Sequence, residues 1–212
     1  MILMDFIDPI IVNNFPEKEE INWDNDFDLK NAPCLLTHLD KKSFVIPKDW
    51  SGCLFGSDNS ISKLQAATNF GIISNVRHLI PDERITVKLS DSNTIEVTML
   101  TTGHVNDVSS MLLFQDMYIK CLYTTCLGDF VAEIVRNSLL QKTIENGIDV
   151  LYIDDTIFGS EKNIDSLHPT EYQLCSLVYL VRPKEVVGIF GKEIPLYIKE
   201  FCQKRNFFMH IL

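Results

Sequence analysis

Short apolar runs alternate with amphipathic segments along most of the chain, and this alternation constrains the fold more than any other feature. Several runs are rich in Val, Ile and Leu, as strands buried in a sheet are. We therefore predict strands over residues 34–37, 44–46, 52–55, 84–89, 94–101, 111–114, 120–124, 150–153 and 186–190.

Apolar spacing and capping signals predict four helices, over 60–70, 133–145, 170–182 and 192–204. The third begins at Thr170, which forms a capping-box pattern with Gln173. Gly147 ends the second, and Pro195 lies in the first turn of the fourth, where its missing N–H costs little. The last residues, 207–212, predict a further strand. Strands that cluster early and helices that come later favour a layered α/β sandwich over a regular doubly wound sheet.

The composition fits one soluble globular domain with a sizeable core. The chain has 212 residues, of which 46% are hydrophobic, and a net charge of −10. These values exclude a disordered chain, a collagen and a coiled coil. The acidity disfavours a protein whose main task is to grip phosphate backbones, because such proteins carry a basic face.

Neither the cysteines nor the first residues indicate export or a membrane. Six cysteines occur without CxxC pairs or regular spacing, which favours free buried thiols in a reducing compartment, the nucleus or the cytoplasm. Residues 1–12 are apolar, but they contain Asp5 and Asp8, lack a basic start and are too short to span a membrane. We therefore expect no membrane partner.

Residues 1–30 are acidic, and we expect them to form an amino-terminal arm that precedes a domain over 31–212. The segment contains eight acids and two lysines, a local charge of −6, against −4 for the other 182 residues. Such a segment is usually solvated. Four of its apolar residues are candidates for docking on the domain or on a partner protein: Ile10, Ile11, Phe15 and Trp23.

Spacing alone identifies no catalytic or metal-binding motif. Five histidines are scattered without a His-x-His or His-Glu-x-x-His pair. The sequence also lacks a Gly-x-Ser-x-Gly elbow, a Walker loop and a dinucleotide fingerprint.

Six stretches nevertheless carry recognisable motifs in a fixed order. They are 37–43 (THLDKKS), 50–57 (WSGCLFGS), 96–104 (EVTMLTTGH), 122–130 (LYTTCLGDF), 151–156 (LYIDDT) and 186–193 (VVGIFGKE). Their order resembles the metallo-β-lactamase superfamily, and specifically the Artemis and Apollo group of DNA nucleases, whose first motif is Thr/Ser-His-x-His-x-Asp-His. The resemblance covers about 31–212. It implies an αββα sandwich of the metallo-β-lactamase type that is incomplete, without the β-CASP domain that closes over DNA in that group.

The first motif departs from this resemblance at three of its four metal-binding positions. In active members it supplies two histidines to one metal, and an aspartate and a histidine to another. His38 keeps the first histidine, whereas Asp40, Lys42 and Ser43 replace the second histidine, the aspartate and the last histidine. Lys42 places a cation where the family has an anionic ligand, because a charged ammonium only donates hydrogen bonds.

Three later positions of the resemblance survive, namely His104, Asp129 and Asp154. We expect no catalytic residue, metal or other cofactor, and interpret the vestigial metal-site positions as a structural hydrogen-bond cluster. The positions are His38, Asp40, Lys42, Ser43, His104, Asp129 and Asp154. In this cluster Lys42 is predicted to pair with Asp129 or Asp40, since a buried carboxylate needs compensation, and Asp154 to orient loops.

The sequence therefore predicts a pseudoenzyme that serves as a protein-interaction or scaffold subunit. A sandwich that lacks its second part exposes apolar faces, and a partner protein covers such faces. The apolar residues of the arm, together with Phe207, Phe208 and Ile211, are the predicted contacts. The resemblance implies a nuclear complex for DNA repair or for the protection of telomeres, in which the chain meets DNA only indirectly.

Two alternative functions stay open at this point. One is a residual metal-dependent nuclease or hydrolase that binds one metal through His38, His104 and Asp129. The other is a nucleic-acid-binding module that uses the cleft of the former active site, although its basic residues are dispersed. Zinc analysis, a nuclease assay and a salt-sensitive gel shift separate the three functions.

Overall fold

The computed structural model describes residues 2–3, 10–12, 30–37, 50–67, 75–102, 110–128, 132, 136–158 and 169–209. The chain forms two compact units, Met1–Met99 and Leu100–Leu212. The described strands make a five-stranded sheet in the order β1-β2-β3-β4-β5 and a six-stranded sheet in the order β11-β10-β9-β8-β7-β6.

The amino-terminal unit contains seven of the described strands and one helix. The strands are β1 (Ile2–Leu3), β2 (Ile10–Val12), β3 (Cys34–Leu35), β4 (Leu54–Gly56), β5 (Val76–His78), β6 (Arg84–Lys88) and β7 (Thr94–Thr101), the last of which extends two residues past Met99. Helix α1 (Asp58–Ala67) follows β4. Strands β2 to β5 are parallel, with Cys34 opposite Ile11 on one side and Leu54 on the other, and β1 is antiparallel to β2.

A small core holds this five-stranded sheet. Among the described residues it consists of Ile11, Ala32, Cys34, Leu36, Leu54 and Leu64. Close backbone approach beside it requires Gly52, because a Cβ there would lie 2.2 Å from the carbonyl oxygen of Ala32. The Trp50 indole donates a hydrogen bond to that same oxygen at 3.0 Å.

The carboxyl-terminal unit alternates strands with helices. Its strands are β8 (Ser110–Gln115), β9 (Lys120–Thr124), β10 (Val150–Ile153) and β11 (Glu185–Gly188), and its helices are α2 (Ser138–Glu145), α3 (Glu171–Val181) and α4 (Leu196–Met209). Strands β9, β10 and β11 are parallel, whereas β8 and β9 form an antiparallel hairpin. Sixteen described residues make its main apolar core, including Leu122, Leu151 and Leu177.

Local capping explains where two of these helices begin. The Asn137 side chain accepts from the amide of Leu140 at 2.9 Å and caps α2, which begins at Ser138. The predicted helix 133–145 matches α2 from 138 onward, and residues 133–135 lie outside the described residues. Thr170 and Gln173 form the predicted capping box of α3, and Arg182 ends that helix in the left-handed conformation. No described helix has the length and hydropathy to cross a membrane.

The predicted α/β fold class is confirmed, but two local predictions need correction. The strand expected at 207–212 is wrong over 207–209, because α4 extends to Met209, and residues 210–212 lie outside the described residues. Once a helix is nucleated, each further residue adds a hydrogen bond at little cost, which overrides the strand preference of Phe207 and Phe208. Strands β1 and β2, for which the sequence analysis gave no strand, lie in the acidic segment 1–30, and β2 pairs with β3 of the domain.

Candidate functional site

The predicted site positions follow the ends of four strands. His38 follows β3, His104 follows β7, Asp129 follows β9 and Asp154 directly follows β10. Asp154 is described, whereas the other six predicted positions, His38, Asp40, Lys42, Ser43, His104 and Asp129, lie outside the described residues.

A hydrogen bond joins the segments that lead to His104 and Asp129. The amide of Gly128 donates to the carbonyl oxygen of Thr102 at 3.0 Å. Gly128 directly precedes Asp129, and Thr102 is two residues before His104. The backbone of the carboxyl-terminal unit thus brings these two segments together.

Asp154 is buried and fixes the turn after β10. The residue is only 1% exposed. Oδ1 accepts hydrogen bonds from the amide of Thr156 at 2.9 Å and from its hydroxyl at 2.6 Å. The parallel register sets Ile153 opposite Thr124, so Asp154 lies at the edge of the sheet where β9 also ends.

The adjacent aspartate, Asp155, holds the backbone after β11 in place, a role that the sequence analysis did not identify. It is fully buried, and its two carboxylate oxygens accept from the amides of Phe190 at 2.7 Å and Lys192 at 2.5 Å. Gly188 makes room for it, since a Cβ at Gly188 would lie 2.2 Å from Oδ2. The sequence signal for this role was a second acid directly after an apolar strand, because a carboxylate buried there needs hydrogen-bond donors.

Backbone and amide groups also hold the loop after β9. Thr124 donates its hydroxyl proton to the carbonyl oxygen of Cys126 at 3.2 Å. The Gln173 amide on α3 donates to the carbonyl oxygens of Leu127 and Gly128 at 3.3 and 3.4 Å. The same glutamine caps α3, so the helix start and the loop before Asp129 are held together.

The described residues at this sheet edge are structural acceptors and donors. Among them no group of three or more His, Cys, Asp or Glu side chains is arranged to hold a metal ion. The six positions outside the description offer two histidines and two aspartates, with a lysine and a serine at family ligand positions. A lysine and a serine are not the imidazole and carboxylate ligands that a two-metal centre uses, so the predicted absence of such a centre stays a prediction from the sequence resemblance.

The predicted partner contacts fall into two groups. Ile10 and Ile11 are fully buried in β2, between β1 and β3, so they dock on the chain's own sheet. The others lie outside the description: Phe15, Trp23 and Ile211 altogether, and Phe207 and Phe208 as regards their side chains in α4. For these five residues partner binding stays a prediction.

A different apolar surface is exposed at the β8–β9 turn. Met117 and Tyr118 are 83% and 85% exposed. Asp116 fixes the turn, because its Oδ1 accepts from the amides of Tyr118 at 2.6 Å and Ile119 at 2.7 Å. The sequence signal was two large apolar residues in a position that favours Gly, Asn and Asp.

Comparison with known proteins identifies the fold. No protein-family model and no curated protein sequence matches the chain. Among solved structures it is similar to the metallo-β-lactamase-fold protein YhfI from Bacillus subtilis, with a TM-score of 0.58 and 12% identity over 93% of this chain and 80% of YhfI. It is also similar to a diphosphatase of the PhnP family, with a TM-score of 0.54 and 12% identity over 85% of this chain and 67% of that one.

A third similar structure is Zn(2+)-bound PqqB from Methylobacterium extorquens, with a TM-score of 0.50 and 13% identity over 69% of this chain and 56% of PqqB. The chain spans only 36% of another match, the CmlA β-hydroxylase. At these identities the likeness concerns the fold and not the activity. The chain has the metallo-β-lactamase fold.

Proposed function

We propose that this chain is a catalytically inactive metallo-β-lactamase-fold protein that acts as a protein-interaction subunit. The observation that carries the interaction role is the β8–β9 turn, with Met117 and Tyr118 exposed on a fixed backbone. A partner that covers these side chains removes apolar surface from water. A turn that is already fixed loses little conformational entropy when the partner binds. Met and Tyr are also enriched at protein interfaces.

The strand that follows this turn is anchored as well. The amide of Lys120 donates to Asp149 Oδ2 at 2.7 Å, and Lys184 Nζ lies 2.6 Å from Asp149 Oδ1. Asp149 therefore links the start of β9 to the residues before β10 and β11. This anchoring supports a binding surface that is formed before the partner arrives.

The substitutions in the first motif support loss of catalysis. Lys42 brings a positive charge to a place where an active relative has a carboxylate ligand, and Ser43 removes an imidazole. A cation there opposes a divalent metal by Coulomb repulsion. In the proposed protein Lys42 compensates Asp129 or Asp40 in place of a metal.

The finer part of the proposal is that the partner belongs to a nuclear genome-maintenance complex for DNA repair or telomere protection. The resemblance of the six motifs to the Artemis and Apollo group supports this location. The net charge of −10 favours indirect contact with DNA through the partner.

A residual metal-dependent hydrolase is the competing function. The survival of His38, His104 and Asp129 favours it, together with the hydrogen bond between Gly128 and Thr102 beside two of these positions. One metal held by three ligands would suffice for hydrolysis.

Metal content and nuclease activity separate the two functions. We expect purified protein to hold no stoichiometric zinc, iron or manganese by elemental analysis, and not to degrade 5′-phosphorylated DNA. A triple variant, Asp40→His, Lys42→Asp and Ser43→His, recreates the family ligand set and is expected to gain metal. Adding His104→Ala to the triple variant is the matched control and should remove that metal. Stoichiometric metal and DNA cleavage in the wild type, both abolished by His104→Ala, would overturn the proposal.

The interaction role is tested at the turn itself. A Met117→Ser, Tyr118→Ser variant should lose the partner that co-purifies with the wild type from nuclear extract. Ile80→Ser is the control, because Ile80 is another exposed apolar residue, at 60%, outside the turn. Equal capture of the partner by all three proteins would contradict a role for the turn.

A further inference from the structure

The outward face of α3 carries two exposed aromatic residues. Tyr172 is 81% exposed and Tyr179 is 61% exposed, and their separation of seven residues places them on one side of the helix. Leu174, Leu177, Val178 and Val181 are buried and occupy the opposite side. The helix therefore buries one apolar side and still leaves most of the surface of both tyrosines exposed on the other.

Opposite charges stand at the two ends of this face. Glu171 is the first residue of α3 and Arg182 is its carboxyl-terminal cap, and both are exposed. Neither forms a salt bridge within the part of the chain that the structure describes. The eleven-residue helix places the two charges about 16 Å apart at 1.5 Å per residue.

Each of the two charged residues contacts a tyrosine of the same unit. Arg182 lies with its Cζ 6.0 Å from the centroid of the Tyr179 ring. Glu171 accepts a hydrogen bond from the Tyr197 hydroxyl on α4. The order along the face is therefore acid, tyrosine, tyrosine, base.

We infer that this face of α3 is an interface between two copies of the chain. A two-fold axis perpendicular to α3 at its middle places the α3 helix of the second copy antiparallel to that of the first. Glu171 then lies opposite Arg182 of the other copy, and Tyr172 opposite its Tyr179. A two-fold interface requires such self-complementarity, because the same surface patch meets itself.

The apolar surface continues beside the helix in the same unit. Tyr197 is 50% exposed and contacts Cys175 of α3, with 3.7 Å between the hydroxyl and Sγ. Tyr179 stacks at a tilt on Phe201, with 5.8 Å between ring centroids. These contacts fix Tyr179 and Tyr197 in place, which lowers the entropy lost when a second copy binds. Self-association requires neither a heterologous partner nor the loss of metal, so it goes beyond the proposed function.

Charge reversal tests the two-fold arrangement. We expect the full chain to show a concentration-dependent dimer by sedimentation equilibrium. Glu171→Arg and Arg182→Glu should each weaken the dimer at least tenfold, because each places like charges opposite one another. The double variant should restore the wild-type dissociation constant, since both pairs are then reversed together. Glu145→Arg, an exposed charge on α2, is the control and should leave the dimer unchanged.

Two further variants separate the interface from effects inside the subunit. Tyr197→Phe removes the internal hydrogen bond to Glu171 without changing its charge and should leave the dimer intact. Tyr172→Ser with Tyr179→Ser should give a monomer with unchanged circular dichroism. A monomer at all concentrations overturns the inference. So does a dimer that Glu171→Arg leaves unchanged, or a double variant that stays monomeric, which would indicate a different partner for this face.

Discussion

The five strands of the amino-terminal sheet are two or three residues long, whereas β8 to β11 in the carboxyl-terminal unit are four to six. The short strands pair with segments far away in the sequence, as Ile11 does with Cys34 and Cys34 with Leu54. The longer strands also pair with distant segments, as Val150 does with Cys121 and Glu185, so pairing distance does not distinguish the units. The apolar cluster around the longer strands comprises sixteen described residues, against six in the cluster beside the short strands. The comparison indicates that side-chain packing around a large cluster contributes more to the second unit.

Replacing one buried leucine in each core tests most directly whether the two units differ in side-chain packing. Leu177 on α3 and Leu64 on α1 are each 1% exposed. We expect Leu177→Ala to lower the free energy of unfolding by about 4 kcal/mol and Leu64→Ala by about 2, because the smaller core can collapse around the cavity. Urea denaturation followed by circular dichroism measures both. Equal losses would show that core size does not distinguish the two units.

The buried carboxylate of Asp155 gives the next largest effect. Asp155→Ala removes the acceptor of two backbone amides, and we expect a loss of about 3 kcal/mol. Asp116→Ala is the matched control, because Asp116 also accepts from two amides, but in exposed surroundings, and should cost about 1 kcal/mol. Thermal and urea unfolding report the difference. If both variants lose the same stability, burial does not strengthen the Asp155 bonds.

The two described cysteines of the amino-terminal unit, Cys34 and Cys53, should contribute differently to stability at alkaline pH. Burial raises the pKa of the Cys34 thiol well above its ordinary value of 9.0. Above that value the unfolded chain releases a proton that the folded chain keeps, so stability is fully present below pH 9 and falls as the pH rises. The slope contributed by one such group approaches about 1.4 kcal/mol per pH unit.

Variants isolate this contribution from other titrating groups. Cys34→Ala should flatten the fall of stability between about pH 9 and 10.5. Cys53→Ala should change it less, because burial of the Cys53 thiol is partial and Arg77 acts against its raised pKa. Unfolding free energies at several pH values measure the slopes. A slope that Cys34→Ala leaves unchanged would show that the thiol ionises without unfolding.

Local signals in the sequence predicted much of the carboxyl-terminal unit. The predicted strands 120–124 and 150–153 match β9 and β10, and the Thr170 capping box is present. The apolar runs of these strands and the capping box are signals contained within a few residues, although β9 and β10 pair with distant segments. Strand β2 was missed because its three apolar residues lie near acids and are too few to show a period. Contacts between residues far apart in the sequence leave no such local signal.

The candidate site was less predictable for the same reason. The role of Asp155 depends on Gly188, which leaves the space that the carboxylate fills, and on amides at 190 and 192. Asp154 was selected by family resemblance, which identified a position but not its hydrogen bonds to Thr156. The exposed turn at Met117 and Tyr118 lies between the predicted strands 111–114 and 120–124, and the sequence analysis gave its residues no role.

Helix caps give the smallest expected effect and sharpen the comparison at the level of single hydrogen bonds. The Ser57 hydroxyl accepts from the amide of Ser60 at 3.1 Å at the start of α1. Thr170 accepts from the amide of Gln173 at 3.2 Å, and the Gln173 side chain accepts from the amide of Thr170 at 2.9 Å. Ser57 also donates its hydroxyl to Ser60 Oγ at 3.0 Å. We expect Thr170→Ala to cost about 1.5 kcal/mol and Ser57→Ala about 0.5, because the Thr170 cap satisfies two backbone amides and the Ser57 cap satisfies one.

Hydrogen exchange locates these losses within the chain. Thr170→Ala should raise exchange in the first turn of α3 and in the loop at Leu127 and Gly128, since Gln173 holds both. Ser57→Ala should raise exchange only in the first turn of α1. If the Thr170 variant leaves the loop before Asp129 protected, the capping box and the loop are not coupled. Coupled exchange would instead mean that a cap readable in the sequence also orders the segment that directly precedes Asp129.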